Sequence, residues 1–353
     1  MRVDAGLLDE ARVRYLDAVL RGERRGAIDV CLDLLDSGVP AEQVITGLLA
    51  PAQVEVGNGW VRGEWSVAME HRTSAITESA LQAVSDAAMR APGAPAEGSR
   101  GRAVVACTEG EWHLLPGRMA SEVLRLRGLD VTFVGPSVPA TDLAEMLGDD
   151  PPPVVGVSCS MPMSLPGALR TITALRAIGM TVVCGGRGFG PDETWSRTLG
   201  GDLWGGDLSG GADLVVALAA APAAPPRGSA VGERVQAELR IAERDHQSVV
   251  ESAVARALAR WPFLTGEDAA IRATREDLSS TLRILAATVT TGDQRVVLEY
   301  VSWFESVLAA RDLPLWFVPA AFELLLEALS DDLPLLREAA RAGLAACVGP
   351  VPG

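Results

Sequence analysis

Across residues 1–90 the apolar positions recur on a helical period. The stretches "LLDEARVRYLDAVL", "AIDVCLDLL", "AEQVITGLLAPAQVEV" and "TSAITESALQAVSDAAM" each place one apolar stripe along a helix. The joints "RGER" and "DSGVP" are short and contain glycine, which makes successive helices antiparallel neighbours; a four-helix bundle is predicted over 1–90. From 102 to 221 the pattern switches to apolar runs alternating with amphipathic stretches. "AVVAC" precedes "GRMASEVLRLRGL", "DVTFVG" precedes "ATDLAEMLG", "PVVGVSCS" precedes "PGALRTITALRAIG", and "TVVCGG" precedes "PDETWSRTL". That repeat predicts a doubly wound parallel sheet of the flavodoxin-like (Rossmann-like) kind, with ligands at the carboxyl ends of the strands. Over 231–350 the strand pattern disappears. "GERVQAELRIAERDHQSVVESAVARALARW", "EDAAIRATREDLSSTLRILAATVTTG", "DQRVVLEYVSWFESVLAARDLP" and "WFVPAAFELLLEAL" read as helices, with Pro, Gly and Asp between them as stop and start signals, so a separate all-α domain is predicted. Two stretches rich in Pro, Gly and Ala, "APGAPAEGSRGR" and "APAAPPRGSA", read as the linkers between the three blocks.

Composition narrows the chemistry. The 353 residues are 48% hydrophobic, enough for buried cores in two or three domains. A formal net charge of -15 argues against a phosphate-binding surface, and no direct contact with nucleic acid is expected. All 31 basic residues are arginine, so chemistry that needs a lysine amine, such as a Schiff base or a Walker-type phosphate loop, is excluded. The 5 cysteines form no CxxC pair and suggest neither a zinc site nor a disulfide framework. No stretch reaches the length of a membrane span, and "MRVDAGLLDE" lacks a signal-peptide core; a cytoplasmic location without membrane contact is expected.

The chain has only 3 histidines, and one of them, His113, falls at the predicted carboxyl edge of the sheet, in "EGEWHLLPG". Ser158, Ser160, Gly185 and Gly186 fall along the same edge. A histidine there can be a general base, a hydrogen-bonded structural residue or a metal ligand. Glu111, two residues back, can hold the other ring nitrogen and set its tautomer, and Trp112 lies between them. One imidazole does not hold a bare transition-metal ion, but it can complete the coordination of a metal already held by a macrocycle, which points to haem or corrin.

These residues carry a resemblance. "GEWH", with Ser158 at one strand end and Gly185-Gly186 at another, resembles the cobalamin-binding domain of methionine synthase, corrinoid carrier proteins and cobalamin photoreceptors. The resemblance implies that His113 displaces the cofactor's own base as the lower cobalt ligand, that Glu111 is its partner, and that Ser158, Gly185 and Gly186 touch the nucleotide tail. The family pattern places a glycine where this chain has Pro116; Gly117 follows it.

A second resemblance lies in "GWVRGEWSVAMEHRTS". Trp60, nine residues, then Glu70-His71 is the spacing of CarH-type photoreceptors, in which a helical bundle covers the upper face of adenosylcobalamin. A helix ending near Trp60, a turn through "VRGE" and a new helix capped by Ser66 would bring these three side chains to one corner. The histidine that follows the tryptophan in that family is here Val61, which removes that residue as an upper ligand after light. A helix-turn-helix ahead of the bundle, as in the repressors of that family, is not expected.

The helices after 231 are similar to those of photocobilins, which join a cobalamin module to a globin-like domain that binds biliverdin. That implies a noncovalent biliverdin, with His246 as a pyrrole or propionate contact, aromatic walls including Trp303, and arginines such as Arg256 and Arg260 for the propionates. The combined expectation is a light sensor, not an enzyme, that homo-oligomerises in a light-dependent way and signals to an unidentified downstream protein. Two rivals are a corrinoid methyl carrier and a haem-binding gas sensor using His246.

Overall fold

The computed structural model describes residues 5–220 and 228–347. Helices α1 (Ala5–Arg21), α2 (Arg24–Asp36), α3 (Ala41–Val44), α4 (Ala50–Val61) and α5 (Val67–Arg90) form the first layer. A π turn, Ile45–Leu49, joins α3 to α4 so that the two continue as one rod, which makes four rods in all. Pro51 explains the widened turn: it has no N–H to donate, and its ring crowds the carbonyl four residues back. The rods close on Tyr15, 1% exposed, whose hydroxyl donates to Thr77 at 3.0 Å.

The sheet holds β1 (Arg102–Cys107), β2 (Asp130–Val134), β3 (Val155–Ser158), β4 (Val182–Gly185) and β5 (Leu203–Trp204), all parallel, in the order β2-β1-β3-β4-β5. This is the flavodoxin-like order, whose switch point lies between β1 and β3. Register aligns Cys107 with Ser158 and Ser158 with Gly185, so three strand ends stand level at that edge. The fifth strand escaped the sequence reading because two residues carry no periodicity. The crossover helices are α6 (Leu114–Leu126), α7 (Ala140–Gly148), α8 (Leu165–Ala177), α9 (Thr194–Leu199) and α10 (Leu208–Ala219).

Alternate strand positions face opposite sides. Ala103, Val105, Val131 and Val183 share a core with α6, α10 and the bundle. Val104, Ala106, Val155, Val157 and Cys184 share the other core with α7, α8, α9 and the helices that follow residue 231. Those are α11 (Glu233–Arg260), α12 (Asp268–Thr291), α13 (Arg295–Ala309), α14 (Phe317–Ala328) and α15 (Pro334–Ala346). The last of these was not foreseen in the sequence.

The C-terminal helices pack their apolar faces against this side of the sheet layer. Trp195 of α9, 1% exposed, donates its indole N–H to Asp293 at 2.9 Å across the junction. On the other side, Ser85 of the bundle donates to Glu122 of α6 at 2.5 Å, and Arg127 donates to Glu42 at 2.5 Å. The first linker stretch is turns tied to the sheet, with Arg100 N–H donating to the Gly128 carbonyl at 3.0 Å. The second lies largely in 221–227, outside the described residues. Among the described residues no helix is long and apolar enough to cross a membrane.

Candidate cofactor site at the carboxyl edge of the sheet

The loop leaving β1 carries Glu111 and His113 into the β1/β3 switch point. Glu111 is fully buried, and both of its oxygens are engaged. One accepts the His113 backbone N–H at 2.9 Å and meets the ring Nδ1 at 2.6 Å; the other accepts the backbone N–H groups of Ser160 at 2.7 Å and Met161 at 3.0 Å. Burial alone would raise the Glu111 carboxyl, but the His113 and Ser160 donors outweigh it and hold the group below its ordinary range. His113 is raised, first by the hydrogen bond to Glu111 and against the effect of burial, with Glu70 of the bundle adding to the field. The carboxylate thus fixes the proton on Nδ1 and leaves Nε2 as the outward donor atom, on a side chain 56% exposed. Trp112 beside it is 71% exposed.

His113 immediately precedes α6, and Pro116 sits in the first turn of that helix, where no intrahelical partner for an N–H exists. The close approach falls one residue later. A Cβ on Gly117 would lie 3.0 Å from the Phe133 ring and 3.5 Å from both Cys107 Sγ and Ser158 Cβ. Ser158, 7% exposed, ends β3. Ser160 presents a buried hydroxyl with no partner. A Cβ on Gly185 would meet nothing within 4 Å, so the end of β4 borders open space. Gly186 has a structural reason of its own: φ is +101°, and a Cβ would lie 2.2 Å from the Cys159 carbonyl oxygen.

Above the edge, Ser66 caps α5 by accepting from the Met69 N–H at 3.4 Å. Glu70, one turn in, accepts from Ser74 at 2.8 Å, whose hydroxyl accepts from Gln53 at 2.6 Å. His71 is 77% exposed, its Nδ1 3.5 Å from Glu70. Trp60 does not hang free over the edge: it stacks on Trp303 at 6.1 Å, and the Arg311 guanidinium lies 4.9 Å from its ring centre.

Two further residues of this corner went unread. Trp65 donates to the Val56 carbonyl at 2.9 Å and occupies the space above Gly59, where a Cβ would lie 2.0 Å from the indole. The glycine facing that tryptophan was the available signal. Arg311 had none, because its partners at this corner, the Val61 and Trp60 carbonyls, lie 250 and 251 residues away.

His246 of α11 is paired through Nε2 with Ser279 of α12 at 2.8 Å, and burial first, then Arg283, lowers it. A haem iron would have to displace that hydroxyl. Trp303 stands on α13, so the structure gives the two expected bilin contacts different partners.

The donor set fits a corrinoid. Among the described residues no three His, Cys, Asp or Glu side chains come together to hold a bare ion. His113 offers one oriented nitrogen, Gly185 opens on space, and Ser160 holds an unpartnered buried hydroxyl beside it.

Comparison with known proteins agrees. Residues 11–85 and 101–207 each match a B12 binding domain family model. The HTH-type transcriptional repressor CarH of Myxococcus xanthus is 29% identical over 187 residues, 48% of this chain; the chain spans only 60% of that relative's length. The solved monomethylamine corrinoid protein of Methanosarcina barkeri superposes with a TM-score of 0.51 at 18% identity, covering 59% of this chain and 98% of that one, a likeness of fold. Over these two stretches the chain matches B12 binding domains, one within the helical bundle and one on the parallel sheet.

Proposed function

We propose that this chain is a light sensor that holds adenosylcobalamin between the α4–α5 corner and the carboxyl edge of the sheet, and biliverdin noncovalently among its C-terminal helices. The observation that supports it most is the buried Glu111 holding His113, with Glu70 of the cap within electrostatic reach of the same imidazole. His113 would offer Nε2 to the metal, and Glu111 holds the ring in place and, in its neutral form, selects the tautomer that carries the proton on Nδ1. Ser158, Ser160 and Gly185 border the space for the nucleotide tail; Trp112 offers a flat face beside it. Trp60, Glu70 and His71 supply an aromatic surface and polar atoms for an adenosyl group above.

When bound, adenosylcobalamin supplies a cobalt–carbon bond that visible light breaks. Trp60, Glu70 and His71 would then contact the adenosyl group in one state and not in the other, and only such a difference in contacts can shift the packing of domains or protomers. The output is then binding to a partner protein or to further copies of the chain, without turnover. For the bilin, support is limited to an aromatic cluster that runs from Trp303 through Phe304, Phe317 and Trp316 to Trp261, at centroid spacings of 6.5, 6.4, 6.1 and 5.0 Å and partly edge-on.

The test is an absorption spectrum and a sedimentation profile of protein supplied with adenosylcobalamin and biliverdin, before and after green and red illumination. Base-off cobalamin that reverts to a base-on spectrum in His113→Ala, together with light-driven spectral and oligomeric change, is the expected result. Tight methylcobalamin binding with no response of the protein to light would make it a carrier. A Soret band on haem addition that His246→Ala abolishes would make it a haem sensor.

A further inference from the structure

The corner that carries Trp60 is gripped from the far end of the chain. Arg311, two residues past the end of α13, donates from one terminal nitrogen to the Trp60 carbonyl at 2.7 Å and from the other to the Val61 carbonyl at 3.2 Å and the Val307 carbonyl at 2.9 Å. Its guanidinium also lies against the Trp60 indole at 4.9 Å. Trp303 stacks on that indole, 27° off parallel, and rests in turn on Tyr300 at 5.6 Å. Beside them Gly63, at φ +72°, approaches so closely that a Cβ would lie 2.9 Å from the Ala310 carbonyl oxygen.

The physical chemistry of these contacts is specific. Trp60 and Val61 close α4, where the carbonyls carry the negative end of the helix dipole; the Trp60 carbonyl already accepts from the Gly63 N–H at 3.0 Å in the turn that ends the helix. A planar, permanently charged fork adds a donor to both carbonyls at once and still lies against the ring. Three different contacts (fork, ring stack and backbone approach) therefore fasten one turn of the cap to one end of the C-terminal helices.

We infer that Arg311, assisted by Trp303, is a positioning residue for Trp60, so that the cap corner and the end of α13 move as one unit. Displacement of the corner is transmitted to α13, and because coupling is reciprocal, loosening α13 displaces the corner. Its use in signalling rests on the reading of Trp60 as a cofactor cap; the coupling itself belongs to the bare chain.

Hydrogen exchange on the full chain, without and with adenosylcobalamin, tests it. Without cofactor, Arg311→Ala should speed exchange at residues 62–64 about 10-fold or more, the scale of a lost charge-assisted hydrogen bond. Trp60→Ala should do the same at 303–313, while β1 and β3 stay unchanged. Arg311→Lys should recover part of the protection, since an ammonium reaches one carbonyl but cannot fork, and Gly63→Val should mimic Arg311→Ala by a different route. Changes under twofold at 62–64 in Arg311→Ala, or at 303–313 in Trp60→Ala, overturn the inference. With cofactor, illumination should alter both segments in the unmutated chain but only the corner in Arg311→Ala; equal propagation in Arg311→Ala overturns it too. Reciprocal coupling without any response to light leaves the inference standing and removes the light-sensing reading instead.

Discussion

Glu111→Gln separates the geometry of the site from its charge. The carboxylate serves four donors with two oxygens: the ring and backbone nitrogens of His113 on one, and the backbone nitrogens of Ser160 and Met161 on the other. A glutamine keeps one oxygen and turns an NH2 toward the remaining two donors, whichever way it is flipped. Orphaning two buried donors costs about 1–3 kcal/mol each. Part is returned because the amide has no charge to desolvate, and burial is the largest single influence on this carboxyl. A net loss of about 2–3 kcal/mol is expected in urea unfolding of the cofactor-free protein. If the NH2 faces His113, the ring must accept at Nδ1, which moves the proton to Nε2 and removes the metal-binding lone pair. Corrinoid affinity should then fall about 10–100-fold, the usual cost of losing the partner of a ligating histidine. Stability within about 0.5 kcal/mol of the parent, together with affinity within twofold, would refute the account of how this edge is built.

Gly185→Leu should leave the cofactor-free fold within about 0.5 kcal/mol, since its Cβ meets nothing within 4 Å, yet abolish cobalamin binding by filling the space at the end of β4; calorimetric titration reads this directly. Gly186→Ala should instead fail to fold or lose about 3 kcal/mol or more, because φ of +101° and a 2.2 Å approach to the Cys159 carbonyl admit no side chain; thermal denaturation checks it. Asp277 of α12 is pushed up to about 6, first by burial and then by Glu276. The folded state therefore holds this proton more tightly than the unfolded chain, so stability declines as pH rises from about 4 to about 6 and stays lower above that window. Asp277→Asn should flatten the profile there and gain about 2 kcal/mol at pH 8, after discount for the group's residual exposure; an unchanged slope of urea midpoint against pH would contradict it.

Periodicity was enough to read the layers. A helical stripe or a run such as Arg102–Cys107 must bury its apolar residues whatever surrounds it, so the order of rods, strands and crossovers is written locally. The pair Glu111 and His113 was legible for the same reason, being two residues apart, as was the Ser66 cap. What stayed hidden was set by distance along the chain or by shortness. The two-residue β5 has no period to detect, and the sequence does not show that Ser160 and Met161, 49 and 50 residues on, complete the Glu111 site. Nor does it show that α8 and α9 bury a second face against the C-terminal helices. Trp60 is the sharpest case: spacing placed it at the corner, but only packing decided that its ring meets Trp303 and Arg311. Local patterns determine which face of an element is apolar. Which other surface meets that face is a competition among all the surfaces the chain offers, and it is settled only when they pack.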